Sequence, residues 1–186
     1  MSTKKEEYLP DIIQMTRKAR IEAERRLLRS NALLSHATIY YACATTLLTL
    51  VPLFFDISHG ALRAIPFLST FSAIVITLCS TYASAQNYGV RAEQMRESYL
   101  AMQELLFELD RIPNSAEPRP TDIDGISRRY IEILQRTENH LPIDYEIAEK
   151  NHRAIVCNYI TNFFVRLLIY VAPVLASAAF ALIIFG

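Results

Sequence analysis

The chain has 186 residues, little more than one domain's worth; 52% are hydrophobic and only four are Gly. Nineteen Lys/Arg balance nineteen Asp/Glu, so the overall charge gives no reason to expect direct DNA binding. Cys43, Cys79 and Cys157 form no spacing pattern, and an odd count suits neither a disulfide framework nor a zinc site.

Met1–Pro10 is charged. From Asp11 a helical period sets in, with Ile12, Met15, Ala19, Ala23, Leu27, Ser30 and Leu34 at steps of three or four. Arg17, Lys18, Arg20, Glu22, Glu24, Arg25, Arg26 and Arg29 occupy the other faces. Residues 1–34 thus read as an amphipathic basic helix ending at a membrane. Its basic side either satisfies topology and touches anionic headgroups or docks an anionic ligand or partner, with Arg17, Lys18, Arg20 and Arg25 as candidate contacts.

Residues 35–86 read as a transmembrane hairpin. Ala37–Phe55 and Ala64–Ala85 carry no charge and flank a short turn, Asp56–Arg63. At about 1.5 Å per helical residue, ~20 residues cross the ~30 Å hydrocarbon layer of a bilayer. Both runs exceed the ~10–14 apolar residues of a helix buried in a globular core, and lipid leaves helix as the workable form. Retention of the first run as a span, rather than cleavage as a signal peptide, is expected because a long charged segment precedes it. Basic residues crowd both outer ends of the hairpin, with eight in the first 34 residues and ten between Ser84 and Arg166, against one, Arg63, in the turn. The positive-inside rule then places both outer ends in the cytoplasm.

Each span carries a narrow seam of small or hydroxyl side chains: Ser35, Thr38, Ala42, Thr45 and Thr49 on the first, Thr70, Ala73, Thr77, Ser80, Ser84 and Asn87 on the second. Such seams either pack helices closely or line a narrow aqueous path once several hairpins assemble; no Asp, Glu, Lys or Arg marks an ion pathway.

Residues 87–153 read as a cytoplasmic helical region. Tyr88, Ala92, Met95, Tyr99, Met102, Leu106 and Leu109 keep the rhythm, predicting one helix from about Pro66 to Asp110. The breaker-rich Ile112–Pro120 is a loop. A short helix follows, capped by Thr121 or Asp122, with Ile123, Ile126, Tyr130, Ile133 and Thr137 on one face, and Pro142 ends or bends it. Asp144-Tyr145 leads into a last helix. Within residues 154–186, Leu167–Phe185 is a 19-residue uncharged run, long enough for a third span, with a kink expected at Pro173 and Gly186 outside. The fold class is all-α.

The chain holds no H-E-x-x-H, P-loop, G-x-G-x-x-G or G-x-S-x-G. His140 and Asp144 are spaced to share a metal, but Pro142 between them spoils the helical face, so a turn fixed by side-chain-to-backbone bonds is the better reading of Asn139–Asp144. No enzyme activity, cofactor or metal is expected.

Thr16–Leu27 before the first span, Asn87–Tyr99 after the second, and Glu138-Asn-His-Leu-Pro-Ile-Asp-Tyr145 together resemble the SLATT proteins, the SMODS- and SLOG-associating two-transmembrane effector domains. With a further C-terminal apolar helix, the chain is most similar to the fifth subfamily. The resemblance implies a membrane effector of a prokaryotic conflict system, including anti-phage defence. Such effectors assemble as homo-oligomers and breach the inner membrane, killing or arresting the cell. It implies a partner encoded nearby: a nucleotide second messenger and its synthase, a nucleotide sensor protein or a reverse transcriptase. Glu138, Asn139, His140, Asp144 and Tyr145 match a family signature that either holds the last helix against the long one or receives a signal. A membrane-anchored adaptor and a small ion channel are the alternative functions.

Overall fold

The structure is a computed structural model that describes residues 3–54, 59–112 and 120–185. The start of the Asp56–Arg63 turn and nearly all of the loop before Pro120 lie outside the described residues. The described residues form six helices and no strand: α1 (Thr3–Phe54), α2 (His59–Gln86), α3 (Tyr88–Asp110), α4 (Pro120–Arg136), α5 (Pro142–Ala148) and α6 (His152–Phe185). Among the described residues, three stretches are long and apolar enough to cross a membrane: Tyr8–Phe54, Ile65–Asp110 and His152–Val171. The all-α hairpin with a third apolar helix is therefore present.

Local chemistry explains where helices run on and where they break. Asp11 to Val51 contains neither Gly nor Pro, and α1 passes without interruption from its charged part into its apolar part. The single helix expected from Pro66 to Asp110 is interrupted at one residue, Asn87, whose φ of 48° is left-handed. Asn tolerates that conformation better than any other residue with a side chain. The last helix is likewise divided. Lys150 sits at φ 61°, its N–H donates to the Ile147 carbonyl and that of Asn151 to the Glu146 carbonyl, each at 2.9 Å. This is a Schellman ending with lysine in the place glycine usually takes. The Asn151 side-chain oxygen then accepts the Arg153 N–H at 3.2 Å and opens α6. Pro142 does not end a helix: α4 stops at Arg136, and Pro142 is the first residue of α5, where its missing N–H costs nothing. Pro173 leaves α6 unbroken.

The chain divides into two compact units. The first comprises Met1–Leu28 and Gly89–Cys157. Its core is Ile13, Met102, Leu105, Ile126 and Tyr130, flanked by Leu9, Leu106, Leu109 and Ile133. Each such side chain contributes about 1.5–3 kcal/mol on burial. The Tyr130 hydroxyl lies 2.9 Å from Thr16 Oγ1, tying α4 to α1. The buried stripe of α1 is wider than its period suggested: Ile13, not Ile12, is buried, and Arg20 joins Ala19, Ala23 and Leu27 in the interior. A helix touching both α3 and α4 buries more than one row of side chains.

The second unit comprises Arg29–Tyr88 and Asn158–Gly186. Tyr41 donates its hydroxyl to the Ile169 carbonyl at 3.0 Å, and the Tyr40 and Tyr170 rings meet edge-on at 5.6 Å, joining α1 to α6. Most other large apolar side chains here face outward, among them Leu53, Phe54, Phe67, Phe71, Leu78 and Leu168; Phe54 is 75% exposed. A continuous apolar surface of this kind is not carried bare in water. It is the surface a helix presents to lipid.

Candidate functional site

Two groups of residues singled out by sequence occupy the two units separately. In the first unit, the Glu138–Tyr145 stretch is clamped by arginines of α1 and α3. Arg26 donates from Nε and Nη2 to the two carboxylate oxygens of Asp144 at 2.8 and 3.0 Å. The Asp144 side chain is 1% exposed and that of Arg26 28%. One oxygen of Asp144 also accepts the Leu141 N–H at 2.9 Å. This is half of a capping box, because Leu141 has no side-chain oxygen with which to complete it. The turn fixed by a side-chain-to-backbone bond is thus observed, with Asp144 as its acceptor. Glu138 accepts from Arg91 Nε at 2.9 and 3.0 Å. His140 stacks on Tyr145, the rings 6.4 Å apart and 19° from parallel. Asn139 is exposed.

The basic residues of α1 separate by environment. Lys18 and Arg25 are exposed, and Arg25 pairs with Glu22 at 2.5 Å. Arg17 is half-buried, whereas Arg20, placed on the polar side by the period, is wholly buried. The Arg20 guanidinium is held below its ordinary pKa by burial, with the Tyr130 oxygen opposing. Elsewhere in the unit, exposed Arg129 and Glu108 form a fork that holds the Glu108 carboxyl below its ordinary range, chiefly by hydrogen bonding; such surface pairs contribute about 0–1 kcal/mol. Among the described residues no three His, Cys, Asp or Glu gather as a metal site would require.

His140 is half-buried, and burial pushes its pKa below the ordinary 6.5; Asp144 opposes this shift and Arg20 reinforces it. The folded chain then binds this proton less readily than the unfolded chain. The resulting stability is present above the unfolded value and is lost as pH falls through the lowered folded one. Thermal melts of the purified chain should therefore show stability declining between about pH 7 and pH 5, above the range where carboxylates titrate. His140→Gln should flatten that decline; an unchanged pH profile in this variant would show that His140 is not its source.

In the second unit four of the seam hydroxyls are turned onto their own helices. Thr38 donates to the Leu34 carbonyl at 2.9 Å, Thr45 to Tyr41 at 2.8 Å, Thr49 to Thr46 at 2.8 Å and Thr77 to Ala73 at 2.9 Å. Thr38, Thr45 and Ser80 are half-buried; Ala42, Thr49, Thr70, Ala73, Thr77, Ser84 and Asn87 are exposed. The single chain therefore does not bury its two seams, and much of their small-residue surface faces outward. Asn87 is also the residue at which the helix breaks.

Sequence reasoning missed Arg26 and Arg91 as the partners of the Glu138–Tyr145 stretch. The usable signal was the pair of carboxylates, Glu138 and Asp144, in a segment that has few cations of its own. It also missed Tyr40, Tyr41 and Tyr170, whose positions just inside two apolar runs match the aromatic belt of membrane helices.

The family model described as SMODS and SLOG-associating 2TM effector domain family 5 matches residues 2–185. No curated protein and no solved structure matches the chain.

Proposed function

Because the chain belongs to SMODS and SLOG-associating 2TM effector domain family 5, we propose that it is a non-enzymatic membrane effector that assembles with copies of itself and permeabilises the inner membrane of a prokaryotic cell when activated. The observation that carries this reading is the pair of small-residue seams on α1 and α2, much of whose surface faces outward. The hydroxyls of Thr38, Thr45, Thr49 and Thr77 are already satisfied within their own helices, so the seams cost little to bring together and allow close helix approach. The basic residues at both outer ends of the hairpin support a cytoplasmic N-terminus and an external turn. The first unit then lies in the cytoplasm, where a partner or a nucleotide messenger reaches it, and activation shifts a population from a closed to an open assembly.

Reconstitution tests the proposal. The purified chain should release a small dye from liposomes once activated, or spontaneously at high protein-to-lipid ratio, and its expression should dissipate membrane potential. Intact vesicles and an unchanged potential at levels of chain that reach the membrane would instead favour an anchored adaptor, whose function should survive exchange of the spans for an unrelated anchor.

A further inference from the structure

Arg20 lies wholly buried in the first unit, and its Nε, Nη1 and Nη2 have no hydrogen-bond partner among the described residues. One turn earlier on α1, the Arg17 Nε is also buried and unpartnered; residues three apart share a helix face. Across the α1–α3 contact, Ser98 is buried with an unpartnered Oγ. The level is fixed on both sides, because the Tyr99 hydroxyl, its pKa raised first by burial, lies near enough to the Glu24 carboxylate to be pushed up further, and Ile13 packs with Met102 and Leu105. Arg20 and Ser98 therefore look into the same part of the interface. The side-chain oxygens of two residues of the same unit, Asp144 and Tyr130, are engaged elsewhere. Asp144 is taken by Arg26 and the Leu141 N–H, and the Tyr130 hydroxyl is shared with Thr16.

A guanidinium does not give up its proton in a protein, so burial cannot neutralise Arg20. A charge taken out of water is retained only where an opposite charge and hydrogen bonds meet it. The N–H groups of the Arg20 fork, the Arg17 Nε–H and the Ser98 hydroxyl outnumber the roughly four acceptor sites of a carboxylate. They suit the more numerous oxygens of a phosphoryl group, for which a planar fork is the favoured protein partner. We propose that Arg20, with Arg17 and Ser98, forms an internal binding site for a phosphoryl group of a small anionic molecule. The way in is the connector at residues 137–141, which is not helical. It is held at Glu138 by Arg91 and carries His140, close enough to Arg20 to feel its charge. A segment without helical hydrogen bonds opens locally more easily than the helices around it.

The test uses the full-length chain in a zwitterionic detergent, melted in a series of sodium phosphate concentrations against sodium chloride at constant ionic strength. Phosphate stabilises folded proteins generally by exclusion, so the quantity read is the difference between the chain and its variants. At ten times the dissociation constant, orthophosphate should raise the midpoint by roughly 3–6 °C. Arg20→Met removes a buried charge while keeping bulk and should fold; it should abolish the specific rise. Ser98→Ala, which alters no charge, should weaken the apparent affinity severalfold and carries the test alone if the first variant does not fold. A second arm repeats the melts in nanodiscs of phosphatidylglycerol and of phosphatidylcholine. An Arg20-dependent rise confined to phosphatidylglycerol supports the site and names a lipid headgroup as its source, whereas one that follows free phosphate names a soluble ligand. Equal responses of the unmodified chain and Arg20→Met in both arms overturn the proposal, and leave the membrane-effector reading standing, because no leakage is measured.

Discussion

Asp144→Asn should destabilise the first unit by about 3–5 kcal/mol, the cost of removing one partner of a buried ion pair. The substitution keeps size and shape, and the amide oxygen can still accept the Leu141 N–H, so the loss isolates the charge. That charge sits at 1% exposure against an Arg26 fork at 2.8 and 3.0 Å. Once it is gone, Arg26 joins Arg20 as a second guanidinium without a counter-charge in the same unit. Arg26→Met should cost less, because a buried carboxyl left alone can take up a proton where an arginine cannot lose one. The double variant should recover much of the loss, since the apolar replacement removes the remaining unpaired charge. Glu138→Gln breaks a more exposed pair and should cost no more than about 1 kcal/mol. Denaturant titration of the detergent-solubilised chain measures all four. A single Asp144→Asn variant within about 1 kcal/mol of the unmodified chain would show that this ion pair does not fix α5 to α1.

The apolar runs and the all-α class were legible because both rest on local properties: residue length against bilayer thickness, and the absence of breakers from Asp11 to Val51. The amphipathic face of α4 was legible for the same reason, and Ile126 and Tyr130 are buried as its period required. The interruptions were not. Gly89 stays within α3, and the left-handed residue is Asn87, while at the next break it is Lys150. At both sites the conformation is imposed by how the chain must turn into the following helix, against an intrinsic cost of about 1–2 kcal/mol for lysine. Arg20 was misplaced because periodicity sorts side chains by polarity, and only the packing of α3 and α4 on α1 reveals that a charged residue lies inside. Arg26 and Asp144 are 118 positions apart, so the pairing that clamps the signature stretch carries no local trace at all.

Thr77→Leu combined with Ser80→Leu should abolish permeabilisation, lowering dye release at least about tenfold, while leaving membrane insertion intact. Leucine is at least as well accepted by lipid as threonine or serine, so a lipid-facing position would tolerate both changes. A seam used for helix–helix contact would not, because the larger side chains hold the backbones apart. Ile74→Leu, on an exposed apolar position of the same helix, is the control and should be silent. Thr77→Lys should also silence the effector, but it adds about 2.5–3.5 kcal/mol of insertion cost at the helix centre and thus mixes two causes. The alanine pair Thr77→Ala and Ser80→Ala separates the two uses of the seam. Thr77 already spends its hydroxyl on the Ala73 carbonyl at 2.9 Å, so a seam that only packs should lose little when both side chains stay small. A seam that lines water should conduct less once its hydroxyls are gone. If the leucine pair leaks as the unmodified chain does, with equal amounts in the membrane, α2 does not meet its neighbours through Thr77 and Ser80, and the assembly proposed here must form on another face.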